Sequence, residues 1–398
     1  MNIFPATRPF AWSFQRRLGS FFPGTARRTR SPSMTGPSRE IGFVLRPVRG
    51  QARNLLRWVR LVKFRASERR LMTRLLLRTP SRLHFGLLSW GSRPGREFGG
   101  VGLMVESPSL ILEARPAPEW QATGPLANRV VEFAGRVAKN LLEQGFAANP
   151  ISFEIKQAPA EHAGLGVGTQ LGLAVARLIT ELVGIHDAPV DDLARLSGRG
   201  LRSGIGLHGF AQGGLIVDGG RARPDGIPPL LARLDFPRDW SILLVIPPRD
   251  PGLHGQREIQ AFASLPASTD ALTDRLCRLV LLGLLPAIVE TDLPRFGEAL
   301  EEIQRRVGEG FAPAQGGVFA RPEAESILSK LKQEGLRGIG QSSWGPTLYG
   351  FSDASPEQRQ AILERITRDL NLEPGTVFWT RASASGALLS GQETKLLG

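Results

Sequence analysis

The stretch Pro159-Ala-Glu-His-Ala-Gly-Leu-Gly-Val-Gly-Thr-Gln170-Leu-Gly-Leu-Ala-Val-Ala-Arg177 decides the fold. A glycine loop empties directly into an apolar helix after the extended segment Ile151-Ser-Phe-Glu-Ile155. Gly164, Gly166 and Gly168 permit a tight turn and a close approach of backbone to an anion. The open N–H groups and positive dipole end of the following helix attract negative charge. Strand, glycine loop and helix in this order read as a phosphate cradle. It is not a Walker-type loop, because no Gly-Lys-Ser/Thr closes it. A turn that merely joins strand to helix is the plain alternative.

Working outward, the sequence predicts extended segments at Leu75–Arg78, His84–Ser89 and Ser109–Ala114, with a Gly-rich turn at Glu97–Gly102 between them. Val130, Val131, Phe133, Ala134, Val137 and Leu141 recur at helical spacing and predict a helix over Ala127–Gln144. The loop leads into a helix at Thr169–Val183, and Ala211–Asp218 returns as a strand. Pro and Gly collect at Pro224–Pro229, and Trp240–Ile246 opens a second half. That half carries helices at Ala271–Val289, Leu293–Val307 and Pro322–Gln333, and strands at Thr347–Gly350 and Thr376–Trp379. The expectation is a mixed α+β protein with an N-terminal arm, 1–71, and two domains, 72–235 and 236–398.

The net charge of +13 suggests nucleic acid until it is divided along the chain. Residues 1–70 hold 16 Lys and Arg against Glu40 and Glu68, or +14, which leaves 34 against 35, or −1, for the rest. A body without basic excess is not expected to bind a duplex. The arm mixes Pro, Ser, Gly and Arg and ends in the basic amphipathic patch Leu55–Arg65. Disorder, an over-extended start with Met34 and Met72 as other initiators, and a surface-binding helix all fit it. It lacks the order of a signal peptide, and no stretch reaches the ~18 apolar residues of a membrane span. Cys277 is the single cysteine, which excludes an internal disulfide and a thiolate cluster and fits a reducing cytoplasm.

Several side chains are candidates for chemistry, each with a structural alternative. Arg82 and His84 stand two apart in an extended segment and project from one face, as ordinary strand residues also do. Arg199 and Arg202 belong to the second glycine run, Gly198–Gly214, and suit a phosphate or carboxylate clamp or, equally, a solvated helix face. His208 is a candidate acid or base or a plain core histidine. Glu161 and Asp218 are the carboxylates nearest the glycine runs, suited to Mg²⁺ through water or to loop capping. Gln341, Ser342 and Ser343 offer amide and hydroxyl groups in a turn, and Trp344 a flat wall for an aromatic acid or a core tryptophan.

Together Ser81-Arg-Leu-His-Phe85, Gly168-Thr-Gln170, Arg202-Ser-Gly-Ile-Gly206, Gln315-Gly-Gly317 and Gly340-Gln-Ser-Ser-Trp-Gly-Pro346 resemble the GHMP kinase superfamily, and within it the β-ribofuranosylaminobenzene 5′-phosphate synthase family. The resemblance covers roughly residues 73–398. It implies a ribosomal-protein-S5-like half followed by a ferredoxin-like half. It implies transfer of phosphoribosyl from 5-phosphoribosyl 1-diphosphate to the ring carbon of 4-aminobenzoate or 4-hydroxybenzoate, with release of CO2 and diphosphate, early in tetrahydromethanopterin biosynthesis. Arg82, His84 and His208 become catalytic candidates, and Gly164, Gly166, Gly168, Thr169 and Gln170 contacts to phosphate. Arg199, Arg202, Ser203, Gln315 and the Gln341–Trp344 turn become substrate contacts, with Mg²⁺ as the cofactor and a homodimer as a possible assembly. Val167 and Gly168 replace the two loop serines of the kinases, and Gly206 replaces their catalytic aspartate. ATP is therefore not expected as a substrate. The synthase pattern has serine where this chain has Val167, so one loop hydroxyl is lost. A small-molecule kinase and a non-catalytic ligand-binding relative are the competing readings.

Overall fold

Two long strands, β1 (Met72–Ser89) and β2 (Phe98–Pro116), pair antiparallel and form the spine of the first half. Buried Leu75 and Leu77 alternate with outward Leu76, the two-residue period of a sheet covered on one face. The computed structural model describes residues 72–91, 95–200, 202–247, 260 and 265–393. The arm at 1–71, with its Leu55–Arg65 patch, lies outside the described residues. With β3 (Gln121–Thr123), β4 (Ile151–Gln157), β5 (Leu215–Asp218), β6 (Leu230–Leu234) and β11 (Leu388–Glu393), the spine builds a seven-stranded sheet. Its main path runs β11-β1-β2-β4-β3, and β5 joins the other end of β2 and carries β6.

Four helices cover this sheet: α1 (Ala127–Glu143), α2 (Val167–Leu182), α3 (Val190–Ser197) and α4 (Ile205–Gln212). They bury Val130, Phe133, Leu171, Val175, Leu193 and Leu207 against Leu75, Leu112 and Phe153. The second half is a four-stranded antiparallel sheet of β7 (Ser241–Val245), β8 (Arg337–Gln341), β9 (Leu348–Ser352) and β10 (Val377–Arg381), in the order β10-β7-β9-β8. Its helices are α5 (Asp270–Leu279), a π-helical turn (Val280–Leu284), α6 (Leu285–Val289), α7 (Leu293–Gln315), α8 (Pro322–Gln333) and α9 (Pro356–Asp369). Counted within this half, the strand order is 4-1-3-2 with helices after the first and third strands, the ferredoxin-like arrangement. The α+β expectation stands.

An aromatic cluster fastens the two sheets together. Phe85 from β1 packs with Tyr349 and Phe351 from β9, and Phe296 of α7 meets Phe351 edge-on at 4.9 Å. Edge-to-face contacts of this kind add to the burial of large rings. Among the described residues no helix is long and apolar enough to cross a membrane.

Several predicted elements are corrected. Glu97–Gly102 is not a turn: from Phe98 it is the start of β2, where a Cβ on Gly102 would lie 2.4 Å from the Leu83 carbonyl. Glycine here serves close strand approach, which local sequence reads as flexibility. Ala211–Asp218 is strand only from Leu215, because Ile205–Gln212 coils into α4. The helix at Leu293 runs on to Gln315, and that at Ala271–Val289 is interrupted by the π turn.

Tyr349 is fully buried, and its hydroxyl has no hydrogen-bond partner among the described residues. A stranded buried hydroxyl costs about 1–3 kcal/mol. Tyr349→Phe is therefore expected to leave stability unchanged or raise it by about 1 kcal/mol. Urea unfolding midpoints check this, and a clear loss of stability would show that the hydroxyl is satisfied.

Candidate active site

The glycine loop is shaped by its carbonyl groups. The Leu165 carbonyl accepts from Arg82 N–H at 3.0 Å, the Gly164 carbonyl from the Ser342 hydroxyl at 2.7 Å, and the Ala163 carbonyl from Thr347 N–H at 3.3 Å. Gly164 at φ +82° and Gly166 at φ +73° turn the chain between these anchors. A Cβ on Gly164 would meet the Ser342 carbonyl at 2.3 Å, so the position is closed to any larger residue. α2 then begins at Val167, two residues earlier than the sequence pattern predicts, with its first turn facing a cavity of about 490 Å³. That volume suits a small phosphorylated ligand.

Arginines gather at this end. Arg82 rises from β1 beside Gly166, Arg199 follows α3, Arg129 comes from the first turn of α1, and Arg202 lines the same cavity. The side chain of Arg199 lies along α2: a Cβ on Gly172 would stand 2.7 Å from its Cγ, and one on Gly168 would stand 3.0 Å from its Nη2. Gly168 and Gly172, one turn apart, thus form a groove that holds a guanidinium at the helix N-terminus. Phe133 offers its ring face to Arg129 and Arg199 at 5.8 and 6.0 Å. Apolar side chains line the same cavity: Trp344, stacked on Phe311 at 5.0 Å and nearly parallel, and Val307, Val318 and Phe319.

His84, on β1, points its ring toward Ser203. Burial, and then the neighbouring Arg82 charge, hold its pKa well below the ordinary 6.5, so its ring is neutral at pH 7. Its Nε2 is 3.4 Å from the Ser203 hydroxyl, which is 3.4 Å from Asp218 Oδ2.

Comparison with known proteins places this geometry. Residues 284–371 match the family described as GHMP kinases C terminal. The chain is 32% identical over 333 residues to the beta-ribofuranosylphenol 5′-phosphate synthase of Methanothermobacter thermautotrophicus, covering 79% of this chain and 98% of that protein. It is 36% identical over 326 residues to the protein of the same name from Archaeoglobus fulgidus, covering 76% and 94%. The chain belongs to the beta-ribofuranosylphenol 5′-phosphate synthase family. A homoserine kinase from Cytophaga hutchinsonii shares the fold at a TM-score of 0.56 and 15% identity, over 80% of this chain and 98% of that one. The mevalonate diphosphate decarboxylase of Enterococcus faecalis does so at 0.53 and 14%, over 81% and 100%. Family membership makes the protein an enzyme, a transferase built on the GHMP kinase fold.

In this synthase-family member the cavity wall gathers Arg82, His84, Gly164, Gly166, Gly168 and Thr169 from the first half of the sequence reading. Glu161, Arg199, Arg202, Ser203, Gln315, Gln341, Ser343 and Trp344 also line it. Five expected site residues are turned to partners within the protein. His208 is buried with Nε2 2.8 Å from the Pro228 carbonyl, off the cavity wall. Gln170 spends its amide N–H on the Gly206 carbonyl and ties α2 to α4. Ser342 is a buried clip, accepting His84 N–H while donating to Gly164, and does not line the cavity. Gln341 does line it, yet its amide is occupied by Ala320 N–H and the Ser343 carbonyl, so it shapes the turn.

Asp218, expected as a metal ligand, is the fifth. It is fully buried and accepts from Gly204 N–H and Gly220 N–H, each at 2.9 Å. Burial pushes its carboxyl pKa up, partly offset by those amides. Glu161 is ion-paired with Arg129, and no group of three His, Cys, Asp or Glu suited to a metal exists among the described residues. The described residues thus do not fit a protein-held Mg²⁺ cage. Arg129, Phe311 and Val307 escaped the sequence reading, because an arginine and apolar residues at helical spacing look like an ordinary amphipathic face.

The pKa of His84 gives a pH signature. Above pH 6.5, folded and unfolded chains both carry the neutral ring, with no penalty. As pH falls below about 6.5 the unfolded chain takes up a proton that the folded protein refuses, so stability drops by up to about 1.4 kcal/mol per pH unit. The loss levels off once folded His84 also protonates. His84→Gln is expected to flatten this slope in urea unfolding compared at about pH 7.5 and about pH 5.5, and an unchanged slope would place the titration elsewhere.

Proposed function

We propose that this enzyme transfers phosphoribosyl from 5-phosphoribosyl 1-diphosphate to the ring carbon of a para-substituted benzoate, with loss of CO2 and diphosphate. The name of the relatives is that of a phenol product, which favours 4-hydroxybenzoate over 4-aminobenzoate as acceptor. The reading rests on one observation, that a single cavity is lined both by arginines gathered at the α2 N-terminus and by the stacked pair Phe311 and Trp344. A sugar carrying phosphate groups suits the first, and a flat benzoate suits the second.

The C1′–O bond to diphosphate breaks with its electron pair leaving on the diphosphate, and an oxocarbenium-like sugar remains. The para hydroxyl makes the carboxylate-bearing ring carbon electron-rich, and that carbon forms the new bond to C1′. The bond to the carboxylate then breaks, CO2 departs, and its electron pair restores the aromatic ring. No proton is consumed. Arg82, Arg199 and Arg202, which line the cavity, stabilise the charge that develops on diphosphate. His84, held neutral, adds hydrogen bonding without a further positive charge beside the cationic sugar. Trp344 and Phe311 hold the ring plane against C1′. Magnesium enters this reading only as an ion carried by the diphosphate, and no step depends on it.

Gly206 supports the exclusion of kinase chemistry. It packs inside α4, where a Cβ would touch Thr169 Cγ2 at 3.2 Å, and it supplies no carboxylate to take an alcohol proton. The cytoplasm, with tetrahydromethanopterin synthesis as the pathway, is the setting that goes with these substrates. Carboxyl-labelled 4-hydroxybenzoate is expected to release CO2 only when 5-phosphoribosyl 1-diphosphate is present, and ATP is expected not to turn over. Arg82→Ala should cut the CO2 release rate at least about tenfold. Phosphotransfer from ATP without CO2 release would replace this reading with the kinase one.

A further inference from the structure

Arg129 and Glu161 form an ion pair on the cavity wall, with both side chains only about one-third exposed. Arg129 is the third residue of α1, and Glu161 lies in the loop that precedes Gly164. A Cβ on Gly168 would stand 3.1 Å from Arg129 Nη2 and 3.0 Å from Arg199 Nη2, so two guanidinium groups converge over one point on the first turn of α2. Two like charges this close repel unless an anion lies between or beside them. Glu161 is that anion, and it is the one carboxylate among the described residues that line the cavity, against Arg82, Arg129, Arg199 and Arg202.

We propose that Arg129 is part of the phosphate-binding subsite and that Glu161 is its internal counter-ion, displaced when a diphosphate group binds over Gly168. This rests on the reading of the cavity as a site for a diphosphate-bearing substrate. A partly exposed ion pair is weak and exchanges readily. Diphosphate brings more charge than one carboxylate and spans two guanidinium forks at once. Glu161 then sets affinity: it offsets the Arg129 charge while the subsite is empty and competes with weaker monoanions. A structural pair that merely ties α1 to the loop would instead contribute to stability and leave anion affinity untouched.

Calorimetric titration of the full chain with inorganic diphosphate separates these roles. Arg129→Met is expected to weaken binding about tenfold or more. Glu161→Gln is expected to tighten it by about threefold or more, since the competitor is gone. The tightening should vanish in the Arg129→Met background, because Glu161 acts through Arg129. Arg129→Lys, which keeps the charge but loses the fork, gives a milder loss of about threefold and serves if Arg129→Met does not fold. Affinity unchanged in the Arg129 variants, or a Glu161→Gln effect that persists without Arg129, overturns the proposal. CO2 release that is normal while Arg129 proves irrelevant would leave the transferase reading standing without this subsite. Diphosphate binding that depends on Arg129 in a protein releasing no CO2 would do the reverse.

Discussion

A tight glycine loop packed between two sheets must find partners for its carbonyl groups, since buried backbone acceptors are costly to leave unpaired. Here three successive carbonyls, those of Ala163, Gly164 and Leu165, are taken by Thr347, Ser342 and Arg82. Two of the donors belong to the segment between β8 and β9, and the third to β1. The Ser342 hydroxyl also accepts His84 N–H at 3.0 Å, and Ser343 N–H donates to the His84 carbonyl at 3.1 Å. The joint between the two sheets and the floor of the site are therefore one hydrogen-bonded unit. Gln304 of α7 extends it, donating to the Phe85 carbonyl and accepting Gln341 N–H.

Charge is then placed on this frame by the absence of side chains. Gly168 and Gly172 remove bulk from one face of α2, and Arg199 occupies the groove that results. Arg82 fills the space beside Gly166 in the same way. A guanidinium keeps its charge when partly buried and is weakly hydrated, so it tolerates this packing better than an ammonium would. Gly206 lets α4 press against Thr169 at the start of α2.

The sequence by itself determined the local elements. Hydrophobic period placed α1 and α8 within a residue of their observed bounds, and the glycine spacing after Ile151–Ile155 located the loop that opens α2. The motif residues Arg82, His84, Arg199, Arg202 and Trp344 could be named because each sits in a short, distinctive string. Glycine was the ambiguous symbol: Gly99, Gly100 and Gly102 read as a turn but permit close strand pairing, a fact that depends on Leu83 across the ladder.

Only the tertiary structure decided which polar residues line the cavity. His208, Gln170, Ser342 and Asp218 carry suitable chemistry, yet each is turned to a backbone partner brought from far along the chain or across a turn. Arg129 shows the converse. Its neighbours on α1 mark it as part of a solvated helix face, and it meets Glu161 and Gly168 only because α1 packs beside α2. Side-chain direction, burial and pairing between residues tens of positions apart are set by packing, which periodicity along a chain does not encode.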